Sequence, residues 1–106
     1  MPHLKAGSVL MDFQAYVAEL ELERGFDDQG PLEKCLLLGE EIGELFKAVR
    51  KAEGVVIDPR SKVGEVADEL ADVLVLLCAV ANRYGVDLEA AIRAKEEVNK
   101  TRVWVR

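Results

Sequence analysis

The chain has 106 residues, half of them apolar, with 20 Asp and Glu against 14 Lys and Arg and a formal net charge of −6. That length fits one domain over residues 1–106, with a modest core and stability to gain from association. The negative balance argues against wrapping a nucleic-acid backbone, which needs clustered cations.

The longest apolar run, Val73 to Ala81, is nine residues, too short to span a membrane. The N-terminus lacks the basic-then-apolar pattern of a signal peptide, so the cytoplasm is the expected compartment. Cys35 and Cys78 sit in apolar helical runs and read as small buried hydrophobes, not as a disulfide or a zinc site.

Residues 1–7 read as a flexible tail. Ser8 is expected to cap a first helix over Val9 to Arg24, whose apolar positions Val9, Phe13, Tyr16, Val17 and Leu20 follow helical spacing. Gly25 stops it. Glu19, Glu21 and Glu23 on this helix read as solvated. A polar loop, Phe26 to Gly30, leads to Pro31, which suits a first helical turn. The second helix is predicted over Pro31 to Ala52, with Cys35, Leu38, Ile42, Leu45, Phe46 and Val49 as its core stripe. A loop over Glu53 to Arg60 follows, then Ser61 as cap of a third helix over Lys62 to Tyr84, stopped by Gly85. Asp87 caps a fourth helix over Leu88 to Lys100, and Val103, Trp104 and Val105 form an apolar tail. With no convincing strand and short loops, the predicted fold class is all-α, a four-helix bundle.

Two acidic stretches stand out. Glu40-Glu41-Ile42-Gly43-Glu44 lies on the second helix and Glu69-Leu70-Ala71-Asp72 on the third. Each places two carboxylates three residues apart, on one helix face. Glu69 falls among Val66, Val73 and Leu76, where a carboxylate is costly unless paired or metal-bound, so it is expected to be largely buried. Two such helices packed together converge four carboxylates on one spot. A fold does not need that arrangement; a hard divalent cation with oxygen ligands does.

The two motifs at this spacing resemble those of the MazG-type all-α nucleoside triphosphate pyrophosphohydrolases, and the similarity extends from about Phe26 to Trp104. The resemblance implies Mg²⁺ as cofactor, with Mn²⁺ as a possible substitute, held by Glu41, Glu44, Glu69 and Asp72. Glu40 matches the first acid of the motif, supporting a ligand from behind or activating water. The implied reaction is hydrolysis between the α- and β-phosphates, giving a nucleoside monophosphate and pyrophosphate. The chemistry agrees: a cation offsets charge on both sides and lowers the pKa of a bound water. Glu40 or Glu41 could take the proton, which makes them the catalytic candidates.

Lys95, Asn99 and Arg102 recur at i, i+4 and i+7 and share a face if the fourth helix continues that far. They resemble the family's Lys…Asn…Arg pattern near its C-terminus, with the cations for phosphate and Asn99 for phosphate, sugar or base. Phe26 is a candidate to stack on a base. Lys34 and Lys47 could help hold phosphate, but read equally as ordinary surface lysines. The expected partner is a nucleoside triphosphate, within a homodimer or homotetramer as the resemblance also implies. A di-iron bundle is discounted because no histidine lies in the helices. The remaining alternative is a non-catalytic acidic interaction module.

Overall fold

The computed structural model describes residues 2–105. Four helices follow in order: α1 Leu10–Arg24, α2 Pro31–Ala52, α3 Val66–Arg83 and α4 Leu88–Asn99. The described residues contain no strand, so the all-α class stands. α2 and α3 form the main antiparallel pair, α1 packs on α3, and α4 touches chiefly α1.

α2 starts with Pro31 in its first turn, as Pro requires, and ends where predicted. Two N-termini differ from expectation. Ser8 is not the cap of α1: its hydroxyl donates to the Lys5 carbonyl at 2.6 Å. Val9 takes the cap position, and its N–H is held by Asp12 Oδ2 at 2.9 Å. Ser61 does not cap α3 either. Gly64 lies in the expected first turn, where glycine is a poor helix former, and the helix begins only at Val66. Asp87 does cap α4, accepting from the Ala90 N–H at 3.0 Å. At the end of α1, Gly25 adopts φ 77°, a left-handed conformation natural to glycine. The Phe26 N–H then returns to the Glu21 carbonyl at 2.8 Å, which aims the following loop.

The core is small. Val17, Cys78 and Ala79 are fully buried, with Phe13, Tyr16, Val75 and Leu88 packed around them. Cys78 behaves as expected, but Cys35 is exposed. The expected stripe of α2 is only half covered: Phe46 is 64% and Val49 43% exposed, and Leu32 and Leu36 are exposed beside them. α3 likewise exposes Leu70, Leu74 and Leu77. The radius of gyration, 16.4 Å, exceeds the about 13 Å of a compact chain of this length. The accessible surface, 8019 Å², exceeds the about 5,900 Å² of a compact monomer of this size. The subunit is open, with apolar helix faces uncovered.

Polar contacts do much of the joining. Gln14, buried on α1, donates to the Val86 carbonyl at 2.7 Å and accepts from the Leu88 N–H at 2.9 Å, tying down the α3–α4 turn. Glu21, expected in solvent, is 7% exposed. Arg83 of α3 meets both its oxygens at 2.6 Å, and Lys34 of α2 reaches Oε2 at 3.1 Å. Lys34, expected at the surface, is 4% exposed. Burial alone pushes the Glu21 carboxyl up, but hydrogen bonds and charge from Arg83 and Lys34 together outweigh it and hold it below its ordinary value of 4.5.

A folded-state value held below the unfolded one gives stability that is present above the ordinary carboxylate range and lost as pH falls through the depressed value. Glu21→Gln should therefore lower unfolding free energy near neutrality by about 3–5 kcal/mol, since it strands two buried cations. Urea melts across pH should show the gap to wild type shrinking in acid.

Candidate active site

The α2–α3 pairing sets Glu41 opposite the first turns of α3. One carboxylate oxygen from each of Glu41, Glu69 and Asp72 lies within 4.8 Å of the others. Glu41 and Glu69 are partly buried, Glu69 less than its apolar neighbours suggested, and Asp72 is exposed. Behind Glu69 runs the extended segment before α3. Gly64 lies so close to Glu69 Oε1 that a Cβ at this position would collide with it. The glycine that delays the start of α3 thus makes room for one of the acids.

The Glu41 carboxyl is pushed above its ordinary value of 4.5. Burial is the largest cause, followed by the charges of Asp72 and Glu69, the close approach of the Glu69 carboxyl, and the charge of Glu44. No Lys, Arg or His pairs with Glu41, Glu69 or Asp72 among the described residues. Three uncompensated carboxylates on two helices fit a hard divalent cation, which takes oxygen donors and cancels their repulsion.

Glu44 is not brought into this cluster. It lies one turn on along α2 and pairs with Lys47 at 3.5 Å. Glu40 is exposed and makes no side-chain hydrogen bond or ion pair among the described residues. Phe26 lines the same cavity as Glu41 and Asp72, a space of about 460 Å³ between α1, α2 and α3. Its apolar wall includes Leu20, Leu37, Val75 and Leu76, and its polar lining includes Glu21, Gln29 and Lys34. The cavity has two distinct ends. Lys34 and Glu41 are seven residues apart on α2, about 10 Å along the axis; Asp72 and Arg83 are eleven apart on α3, about 16 Å. One end is acidic, and the other is walled by Glu21, Lys34 and Phe26, over whose ring the Lys34 ammonium sits at 5.0 Å, with Arg83 behind Glu21.

Lys95, Asn99 and Arg102 line no part of this cavity. Asn99 Nδ2 donates to Glu96 at 3.1 Å. α4 ends at Asn99, so Arg102 leaves the helical register and stacks over the Trp104 ring at 4.6 Å. Glu21 and Arg83 read from the sequence as ordinary helix-surface charges, and Lys34 as a surface or phosphate-binding lysine, not as the buried partner of Glu21. Their spacing within one helix carries no signal, because the partners come from three.

An all-α chain with a carboxylate cluster opening onto a ligand-sized cavity defines a class: metal-dependent helical hydrolases of charged small molecules. Residues 29–102 match the MazG nucleotide pyrophosphohydrolase domain. The chain belongs to that family and is a nucleotide pyrophosphohydrolase. It is 38% identical over 98 residues to the dATP/dGTP diphosphohydrolase of Cyanophage S-2L, covering 87% of this chain and 81% of that protein. It is 33% identical over 95 residues to the uncharacterized protein YvdC of Bacillus subtilis (strain 168), covering 83% and 90%. Among solved structures it resembles the Cyanophage S-2L MazG-like pyrophosphohydrolase bound to dGDP and three catalytic Mn²⁺ ions per active site. That match has TM-score 0.72 and 31% identity, over 96% of this chain and 88% of the other. The iMazG of Vibrio DAT 722 matches with TM-score 0.65 and 34% identity, over 89% and 100%.

Because the raised Glu41 value favours the protonated folded form, its contribution to metal-free stability is full below 4.5 and is lost as pH rises through the raised value. Glu41→Gln should leave the EDTA-treated protein at pH 7 at least as stable as wild type in urea. Calorimetric Mn²⁺ affinity should fall by more than the roughly 10–100-fold that loss of a ligand's supporting contact costs.

Proposed function

We propose that the chain hydrolyses nucleoside or deoxynucleoside triphosphates to the monophosphate and pyrophosphate. Mg²⁺ is the working cation, Mn²⁺ a substitute, and the cytoplasm the site of action. The observation that carries this reading is the single cavity shared by Glu41, Asp72 and Phe26. A nucleoside seated on its apolar wall, against Phe26, has its first phosphate toward the acidic end. That phosphate is the α-phosphate, and the β- and γ-phosphates lie beyond it. Water adding to the α-phosphorus breaks the bridging P–O bond, and pyrophosphate leaves with the electron pair.

Glu41, Glu69 and Asp72 hold the cation, with Glu44 as a fourth acid one turn away. When bound, the cation supplies positive charge against the phosphate oxygens and a more acidic water. Glu40 or Glu41 accepts the proton. That one Cyanophage S-2L relative is a dATP/dGTP diphosphohydrolase, and that a MazG-like structure from the same phage holds Mn²⁺ and dGDP, supports the substrate class and a divalent cation. No helix among the described residues is long and apolar enough to cross a membrane.

Detection of products settles the bond cleaved. A panel of nucleoside triphosphates with Mg²⁺ is expected to give monophosphate and pyrophosphate; diphosphate with orthophosphate would refute the assignment.

The exposed leucines of α2 and α3, and the excess accessible surface, support a homodimer or homotetramer that buries these faces. Lys95, Asn99 and Arg102 then act on the phosphates of a neighbouring subunit's site, since α4 stays outside the cavity of its own. Mixing Glu41→Gln subunits with Lys95→Ala subunits should recover about a quarter of wild-type activity in a randomly exchanged two-fold dimer. A monomer by light scattering, or no recovery on mixing, would end this arrangement.

A further inference from the structure

Arg83 uses every N–H it has. Its guanidinium carries five donors in a fixed plane. Two meet the Glu21 oxygens at 2.6 Å, and one returns to the Ala79 carbonyl of its own helix at 3.0 Å. The remaining two hold the α1–α2 loop: Nη2 donates to the Phe26 carbonyl at 3.1 Å and Nε to the Gln29 carbonyl at 2.8 Å. Backbone within that loop adds only the Gln29 N–H on the Phe26 carbonyl at 3.1 Å. Phe26 and Gln29 both line the cavity. Arg83 itself does not, so it touches nothing bound there.

We propose that Arg83 is a positioning residue for the nucleoside. From α3, the helix that also carries Glu69 and Asp72, it pins the loop that forms the far wall of the cavity. The wall therefore keeps a fixed distance from the acidic end. This rests on the pyrophosphohydrolase reading above. The charge of Arg83 is not what the role requires. Glu21 retains Lys34 as a partner, so one buried acid and one buried base remain balanced without it. What is lost is the pair of loop contacts, which a lysine cannot make together with the carboxylate because its donors radiate from one point. The acidic end lies about 16 Å away along α3 and keeps its own geometry.

The test compares Arg83→Met and Arg83→Lys with Asp12→Ala in the full chain. Asp12 holds the Val9 N–H at the start of α1, so its loss costs stability at the end of that helix farthest from the loop. Both Arg83 variants are expected to raise KM for the best nucleoside triphosphate by on the order of tenfold while kcat stays within about threefold. Their calorimetric Mn²⁺ affinity should match wild type, and hydrogen exchange at residues 26–29 should quicken. Asp12→Ala should lower the melting temperature with KM unchanged. If Arg83→Met does not fold, Arg83→Lys decides. An unchanged KM in a folded Arg83 variant, or a KM shift equally present in Asp12→Ala, overturns the positioning role alone. Wild-type protein that turns over no nucleotide overturns the function, and this inference with it.

Discussion

One buried carboxylate holds the subunit's three long helices in place. Glu21 comes from α1, and its two cations come from α2 and α3. The apolar core between these helices is thin, with few fully buried side chains. A buried ion pair contributes little net stability against a well-packed apolar substitute, yet breaking one side of it is costly. Such a group is better suited to fixing an arrangement than to deepening a core. Here it fixes where α1 and the α1–α2 loop sit against α2 and α3, about two to three turns from the point where those two helices carry like charge.

The same constraint explains why the subunit can afford to be open. α4 is joined by Gln14 and by Leu88 against the core rather than by a wide apolar contact. The leucines of α2 and α3 that face away from α1 remain uncovered. In a closed four-helix bundle α4 would cover one of those faces. Leaving it aside keeps an apolar surface of the kind that association between subunits buries, and frees the cations near the end of α4 from their own subunit's cavity.

The helices were legible because local signals agreed: Pro31 at a first turn, Asp87 at a cap, and Gly25 and Gly85 at ends. The acids were legible as well. Glu41, Glu69 and Asp72 sit at helical spacing among apolar neighbours, and no packing argument accounts for them. The misreadings share one cause. Ser8 and Ser61 are good caps in isolation, but Ser8 bonds back to Lys5, and Gly64 keeps the chain extended past Ser61. Cys35 and Phe46 follow a sound helical stripe, but the face it marks is not covered by this chain. Glu21, Lys34 and Arg83 look like three solvated charges until three helices meet. Periodicity reports which face of a helix is apolar. It does not report which partner covers that face, or which charges are met from another element.

The layout of charge also accounts for how an acidic chain admits an anionic substrate. On the proposed reading, a triphosphate approaching Glu41, Glu69 and Asp72 alone would be repelled, which would make the cation a condition of binding as well as of chemistry. The proposed seat of the nucleoside is a different surface. Leu20, Leu37, Val75 and Leu76 give it apolar wall, and the Glu21 group beyond carries two cations against one anion, so the cavity is not negative throughout. In the proposed mode the two halves of a nucleotide meet two environments about two to three helical turns apart. A molecule that satisfies only one of them, such as a free triphosphate or a free nucleoside, would forfeit the other half of the binding energy. Specificity for nucleotides would then follow from that separation before any single base contact is considered.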